Sequence, residues 1–405
     1  MFASAEAMRF GNDGIISSRS SRKQAARQEP ESEFPACFVT FLTFSSPWGM
    51  QCARGGSAAD RPGEYGSAVL VFCPFFSRYS RMDAPHFSLL RILADGRFHS
   101  GERLGRALGS SRTGVRMLVG RIEALGVRVI KVRGSGYRLA ERLDLLEPDV
   151  LAAQLGRISP ELCVEVLDEC PSTNSVLAER AAAGAPHGAA LACEHQSAGR
   201  GRRGNSWVGA VGASLAFSVL WRFPRGAGAL AGLSLAVAVG AARSLEQLGT
   251  RGVRVKWPND LYCGERKLGG ILIEVSGNVS GPSAAVVGVG LNVRLDARMR
   301  GRIGRPATDI ASHSDAVPSR TALLVALLES VAAVLAQFSR EGFAPFQEEW
   351  LRRHAWQGRR VALSQAERRV AEGRIVGVAE DGALMLSSAK GIERFHSGEL
   401  SLKAL

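Results

Sequence analysis

The chain has 405 residues, 46% hydrophobic and 22% charged, which is too long for one ordinary domain and excludes a low-complexity or fully disordered polymer. Lysine and arginine total 51 against 38 acidic residues, so the net charge is +13 and the partners it favours are acidic: DNA, ATP or a carboxylate-rich protein. The first eighty or so residues mix Ser, Gly, Pro and Arg with short aromatic runs and lack sustained periodicity. Residues 1–82 are read as an N-terminal extension, disordered or upstream of a true start at Met82.

From Phe87 the pattern is helical, with Leu89, Leu90, Ile92 and Leu93 on one face. A second short helix is expected at Glu102 to Leu108, then a Gly109-Ser110 turn and a third helix from Ser111, capped by Ser110 or Ser111. Val115, Val119 and Ile122 recur at helical spacing and face a core, which leaves Arg112, Thr113, Arg116 and Arg121 for a major groove. Gly114 and Gly120 should each weaken this helix by about 1 kcal/mol relative to alanine. Two strands, Val127 to Val132 and Tyr137 to Leu139, complete a winged helix-turn-helix over 83–142, with the helix-turn-helix itself at 101–120. The competing reading is a small helical adaptor with a solvated basic face.

Leu143 to Gly156 reads as a linker helix with Pro148 near its start. Strands are expected at Leu162 to Leu167, Ala189 to Ala192, Leu215 to Leu220 and Ala284 to Val289, alternating with helices at Ser175 to Ala183, Gly228 to Leu248 and Thr321 to Phe338. After Trp356 short strands with turn signals dominate, including an Asp381-Gly382 turn. No apolar run is read as reaching the roughly 18 residues of a bilayer span, and the signal-peptide order is missing, so a cytoplasmic protein without a membrane partner is expected. The seven cysteines, Cys37, Cys52, Cys73, Cys163, Cys170, Cys193 and Cys263, form no C-x-x-C pair and read as reduced thiols.

Between these elements, Cys193 to Trp207 sets Gly199, Gly201 and Gly204 among Arg200, Arg202 and Arg203. Glycine lets backbone approach a ligand, and guanidinium forks bind phosphate or carboxylate oxygens, so this loop suits an anion. Alone it could equally be a solvated basic linker or a nucleic-acid tract. Further along stand Lys256-Trp257-Pro258-Asn259-Asp260-Leu261, the segment Arg266 to Glu274, and Gly288-Val289-Gly290-Leu291-Asn292-Val293.

With Ser172-Thr173-Asn174, these motifs resemble in order and spacing the biotin protein ligases, in the bifunctional form that also represses biotin synthesis. The resemblance covers roughly residues 85 to 405. It implies a multidomain α+β protein: the winged domain, a mixed α/β catalytic domain of class II aminoacyl-tRNA synthetase-like fold at 143–356, and an SH3-like β barrel at 357–405. It implies ATP-dependent formation of biotinyl-5′-AMP, then transfer of biotin to a lysine of the biotin carboxyl carrier protein. Neither step needs a protein nucleophile, only cations and oriented donors.

By that resemblance Ser172, Thr173, Asn174 and Gln196 meet the biotin ring, and Arg200, Gly201 and Arg202 close over its carboxylate and the adenylate phosphate. Asn205 departs from the family's usual arginine. Lys267 matches the essential lysine, with Arg200 and Arg202 as its catalytic companions. Lys256, Asn259 and Asp260 lie on the loop resembling the active-site floor, where Asn259 and Asp260 would hold Mg²⁺ or the biotin nitrogens. Trp207 and Asn292 match adenine contacts. Mg²⁺ is expected to arrive with ATP, and operator DNA is expected to bind a homodimer loaded with biotinyl-AMP. The alternatives are a ligase whose winged domain no longer binds DNA, or a ligand-sensing repressor without catalysis.

Overall fold

The structure is a computed structural model, and the residues it describes are 84–405 other than 366, 367 and 399, so the reading of residues 1–82 lies outside them. The chain enters through α1 (Pro85–Leu93), α2 (Gly101–Ala107) and α3 (Arg112–Ala124), followed by an antiparallel pair, β1 (Val129–Val132) and β2 (Gly136–Leu139). The hydroxyls of Ser100 and Ser111 cap α2 and α3 by accepting the amides of Arg103 and Gly114. Phe87, Leu90, Leu104, Val115, Val119 and Ile122 are wholly buried in one core. Gly114 is more than a cost to α3, because a Cβ there would fall 2.1 Å from the Ser110 hydroxyl in the tight turn before the helix. Gly120 faces open space and remains a plain weakness.

Next comes α4 (Pro148–Ile158), which starts later than the expected linker helix. Glu147 is held extended ahead of the proline, and the amides of Leu146 and Glu147 are bonded to Glu194 and Thr321. The chain then runs β3 (Cys163–Cys170), α5 (Thr173–Ala182), β4 (Ala189–Gln196), β5 (Ser214–Phe223), α6 (Leu233–Gln247), β6 (Val253–Lys256), β7 (Asp260–Cys263), β8 (Arg266–Gly277) and β9 (Ser283–Asn292). These strands make one sheet in the order β3-β4-β5-β9-β8-β7-β6, parallel only between β3 and β4. The helix expected from Gly228 is interrupted at Gly232, whose φ of 82° is left-handed.

Helices α7 (Ala297–Ile303), α8 (Arg320–Glu341) and α9 (Ala344–Arg353) follow, and α6 packs on α8 and α9 behind the sheet. Segments 227–247 and 320–341 are long and apolar enough to cross a membrane by length and composition, which corrects the expectation of no such run. Both are mostly buried in the fold, where each enclosed leucine contributes about 2 kcal/mol. The last strands, β10 (Arg360–Gln365), β11 (Arg368–Val378), β12 (Leu384–Ser388), β13 (Gly391–Phe395) and β14 (Leu400–Ala404), form an antiparallel sheet ordered β13-β12-β11-β10-β14. Its apolar face belongs to the same core as the large sheet, and the indole of Trp257 donates to the Gly382 carbonyl at 3.2 Å.

Candidate active site

The site begins as a trough in the sheet. Strand register aligns Ser218, Gly288 and Leu272 across β5, β9 and β8, and two residues further on aligns Ala216, Gly290 and Gly270. Ser218, Ala216 and the three glycines at these points leave a cleft of about 990 Å³, large enough for a nucleotide with a second small molecule. Each of the three glycines is pressed by a side chain of the expected site. A Cβ at Gly288 would lie 2.0 Å from Asn174 Oδ1, one at Gly290 2.7 Å from the Trp207 ring, and one at Gly270 3.1 Å from Lys267 Nζ. Positions 288, 290 and 292 alternate onto one face of β9, so the motif is a strand carved to fit its neighbours.

At one end of the trough α5 delivers Ser172, Thr173 and Asn174, all buried. Ser172 occupies the N-cap, yet its side chain bonds no helix amide, which separates it from an ordinary cap. The Thr173 amide donates to Gln196 Oε1 at 2.7 Å, and Ser218 Oγ lies 2.8 Å from Thr173 Oγ1 and 2.7 Å from Asn174 Oδ1. The Asn174 amide donates to the Leu272 carbonyl and to Glu274 Oε2 at 2.9 Å. Short polar groups are thus fixed in direction by bonds to one another.

The arginine loop is a tight hairpin rather than a solvated linker. The Trp207 amide donates to the Gly199 carbonyl at 2.8 Å, Gly201 to Asn205 at 2.7 Å, and Arg200 bridges to Ser206. Arg203 and Gly204 turn the chain with φ of 56° and 71°, and the Asn205 side chain donates to the Arg202 carbonyl, so the residue that departs from the usual arginine closes the turn. Arg200 pairs with Glu274 Oε1 at 2.7 Å and donates to Ser175. Arg202 reaches Asn259 at 3.4 Å and the carbonyls of Ser397 and Gly398 at 2.9 and 2.8 Å, tying the loop to the C-terminal sheet.

The floor differs from the expected loop. Lys256 ends β6, Asp260 opens β7 and Lys267 lies in β8, because two four-residue strands and the twelve-residue β8 pair as consecutive hairpins. Lys267 is bonded to Asp260, and its side chain is only 14% exposed. Burial pulls the Lys267 pKa below the usual lysine value, opposed by the Asp260 charge. Burial likewise brings Lys256 down to about 8, with its ammonium 3.7 Å above the Trp356 ring and 3.2 Å from the Tyr262 hydroxyl. Asn259 donates to the Ile271 carbonyl at 2.7 Å.

All the expected ligand residues except Asn292 line this one cleft. Asn292 sits behind it in a recess of about 30 Å³ shared with Trp207, Lys267 and Arg305, and its amide donates to the Thr308 carbonyl at 3.0 Å. Asn292 Oδ1 and Trp207 Nε1 are buried there with no protein partner. Arg112, Thr113, Arg116 and Arg121 are exposed on α3, a separate surface, with Arg112 paired to Glu102 at 3.0 Å. Sequence reasoning gave no role to Ser218, Glu274, Tyr262, Trp356 or the carbonyls at 397 and 398. Of these only Glu274 lay inside a recognised motif.

Comparison with known proteins follows the same three parts. Residues 167–292 match the biotin/lipoate A/B protein ligase family, residues 358–403 the biotin protein ligase C terminal domain, and residues 86–138 an HTH domain. The bifunctional ligase/repressor BirA of Salmonella typhimurium is 36% identical over 317 residues, covering 78% of this chain and 97% of that protein. BirA of Escherichia coli K12 is 36% identical over 316 residues, covering 78% and 96%. Among solved structures, the biotin protein ligase from Aquifex aeolicus in complex with biotin and ATP is 27% identical, with a TM-score of 0.51 over 60% of this chain and 99% of that one.

Proposed function

The chain belongs to the BirA family of bifunctional biotin ligase/repressors, and we propose that the trough over β5, β8 and β9 is where it joins biotin to ATP. The protein is a biotin protein ligase that also carries a DNA-binding repressor domain. In the first step an oxygen of the biotin carboxylate attacks the α-phosphorus of ATP. The bond from that phosphorus to the bridging oxygen breaks, and pyrophosphate leaves. In the second step a lysine amine of the carrier protein attacks the mixed anhydride, forms an amide, sheds a proton and releases AMP.

The observation that carries this reading is the set of cations around one trough, each with an internal partner that an anion can replace: Arg200 on Glu274, Arg202 on backbone carbonyls, Lys267 on Asp260. Ser172, Thr173, Asn174 and Gln196 take the ureido ring of biotin, Arg200, Gly201 and Arg202 cover the carboxylate and phosphate, and Lys267 meets the developing charge. Lys256, Trp207 and Asn292 serve the nucleotide, the last two through their unpartnered buried atoms. Closure of the hairpin keeps water from the anhydride. Mg²⁺ would arrive with the triphosphate and neutralise phosphate charge. Asp260 and the Asn259 carbonyl oxygen are of the right chemistry for it, and the described residues contain no cluster of three or more His, Cys, Asp or Glu that would form a dedicated site.

We divide the chain into a winged helix-turn-helix at 83–142, a class II aminoacyl-tRNA synthetase-like catalytic domain at 143–356 and an SH3-like barrel at 357–405. The seven-stranded mixed sheet and the five-stranded antiparallel sheet support the last two assignments. Arg112, Thr113, Arg116 and Arg121 read operator DNA, and a homodimer loaded with biotinyl-AMP would set two such helices on a two-fold site, in the cytoplasm. The direct test is incubation with biotin and ATP. Biotin-dependent release of pyrophosphate with accumulation of biotinyl-5′-AMP is expected, and pyrophosphate release that ignores biotin would overturn the assignment.

A further inference from the structure

A second cleft, of about 720 Å³, lies where the helix-turn-helix meets the catalytic part. One wall is the turn from α3 into β1, Leu125 to Arg128, with the segment 140–144 that leaves β2. The other is the loop 210–213 and the face of α7. Val211 from that loop is buried in the core of the helix-turn-helix, so the two walls are packed together at the base.

Five arginines line this space, Arg128 and Arg142 on one wall and Arg294, Arg298 and Arg302 on the other. Arg298 and Arg302 are four apart in α7 and so share a face, while Arg294 lies in the segment just before that helix. The four carboxylates present are already engaged. Asp95 accepts from the Arg97 amide and lies 2.9 Å from His99, and Glu141 is bonded to Arg128. Asp144 accepts the Arg320 amide, and Asp296 caps α7 through the Met299 amide. Among the described residues no carboxylate pairs with Arg142, Arg294, Arg298 or Arg302. Leu125, Val127, Leu143 and Met299 add apolar surface to the same walls.

Four guanidinium groups with no carboxylate bonded to them in a concave space favour an anion, and their forks suit phosphate oxygens taken two at a time. The volume is that of a small-molecule site, too small for duplex DNA, and the apolar walls accept an organic body. We propose that this interdomain cleft binds a nucleotide-sized organic polyphosphate, separate from the ATP used in the catalytic trough. Such a ligand touches both walls at once and so holds the helix-turn-helix against the catalytic part, which makes the site a means of setting operator affinity.

The experiment is calorimetric titration of the full chain with inorganic tripolyphosphate, beside the Lys267→Ala protein, whose catalytic trough is impaired. A binding component that persists in Lys267→Ala is expected. It should weaken about tenfold or more in Arg294→Gln/Arg298→Gln and, independently, in Arg142→Gln on the opposite wall, while biotin transfer is unchanged in both. A component that survives both cleft variants, or that vanishes with Lys267, overturns the proposal. Weakened operator binding in the cleft variants without any persistent tripolyphosphate component also overturns it, because the arginines would then serve the DNA backbone.

Discussion

The Lys267 ammonium and the Asp260 carboxylate are bonded across the β7–β8 hairpin, inside a trough that otherwise strips the lysine of water. Burial lowers the Lys267 pKa and Asp260 raises it, so Asp260 favours the charged form of the lysine. Lys267→Ala is expected to slow adenylate formation by about 10²- to 10³-fold. Asp260→Asn should give a smaller loss whose rate falls off at lower pH than in the wild type. Pyrophosphate release followed across pH checks this, and an unshifted profile would remove Asp260 from the role.

Lys256 supplies a second pH signature. Its pKa of about 8, against the ordinary 10.5, means that between these values the unfolded chain holds more protons than the folded one. Stability therefore gains from Lys256 as pH rises from about 8 to 10.5, and the cost of burying the charge is present in full below that window. Nucleotide binding should run the other way, because the ammonium is lost above pH of about 8. The KM for ATP is expected to rise several-fold, roughly threefold to tenfold, from pH 7 to 9 and to stay flatter in Lys256→Arg, whose guanidinium does not titrate there.

Gly288→Ala probes the trough itself. Its new methyl would meet Asn174 Oδ1 at 2.0 Å and force that side chain from its bonds to Ser218, Leu272 and Glu274. Loss of one or two such bonds, about 1 kcal/mol each, predicts biotin affinity down by roughly tenfold with the KM for ATP little changed. Equal loss for both substrates would place Asn174 away from biotin.

Much of this was legible in the residues and some was not. The arginine loop suited an anion but was ambiguous by composition, and the resemblance carried by KWPND and GVGLN resolved it, yet the separate surroundings of Gly288 and Gly290 depend on β5, β8 and β9 being neighbours, a register no local pattern states. Lys256 and Asp260 were read with Asn259 as one loop because the four-residue strands β6 and β7 carry too little alternation to be seen. Gly114 counted as a defect until the turn at Ser110 was placed beside it. The helices read at Gly228 to Leu248 and Thr321 to Phe338 were not counted as apolar runs of bilayer length, because scattered polar residues break the run while most of each segment is buried inside the fold.

Arg202→Gly should release the hairpin from the carbonyls of Ser397 and Gly398 and let biotinyl-5′-AMP escape. Biotin is then expected on bystander lysines of an added unrelated protein, read by blotting against the wild type. Labelling still confined to the carrier domain would count against Arg202 as part of the closure.

The most direct measurement pairs biotin transfer to a carrier domain with a mobility shift of DNA upstream of the host's biotin-synthesis genes, with and without biotin plus ATP. Transfer together with DNA binding that strengthens when both substrates are present is expected. Charge reversal at Arg112 and Arg116 should then weaken the DNA complex about tenfold or more while leaving transfer intact. DNA binding indifferent to biotin and ATP, or transfer lost along with DNA binding in the reversed variant, would contradict the two-part design.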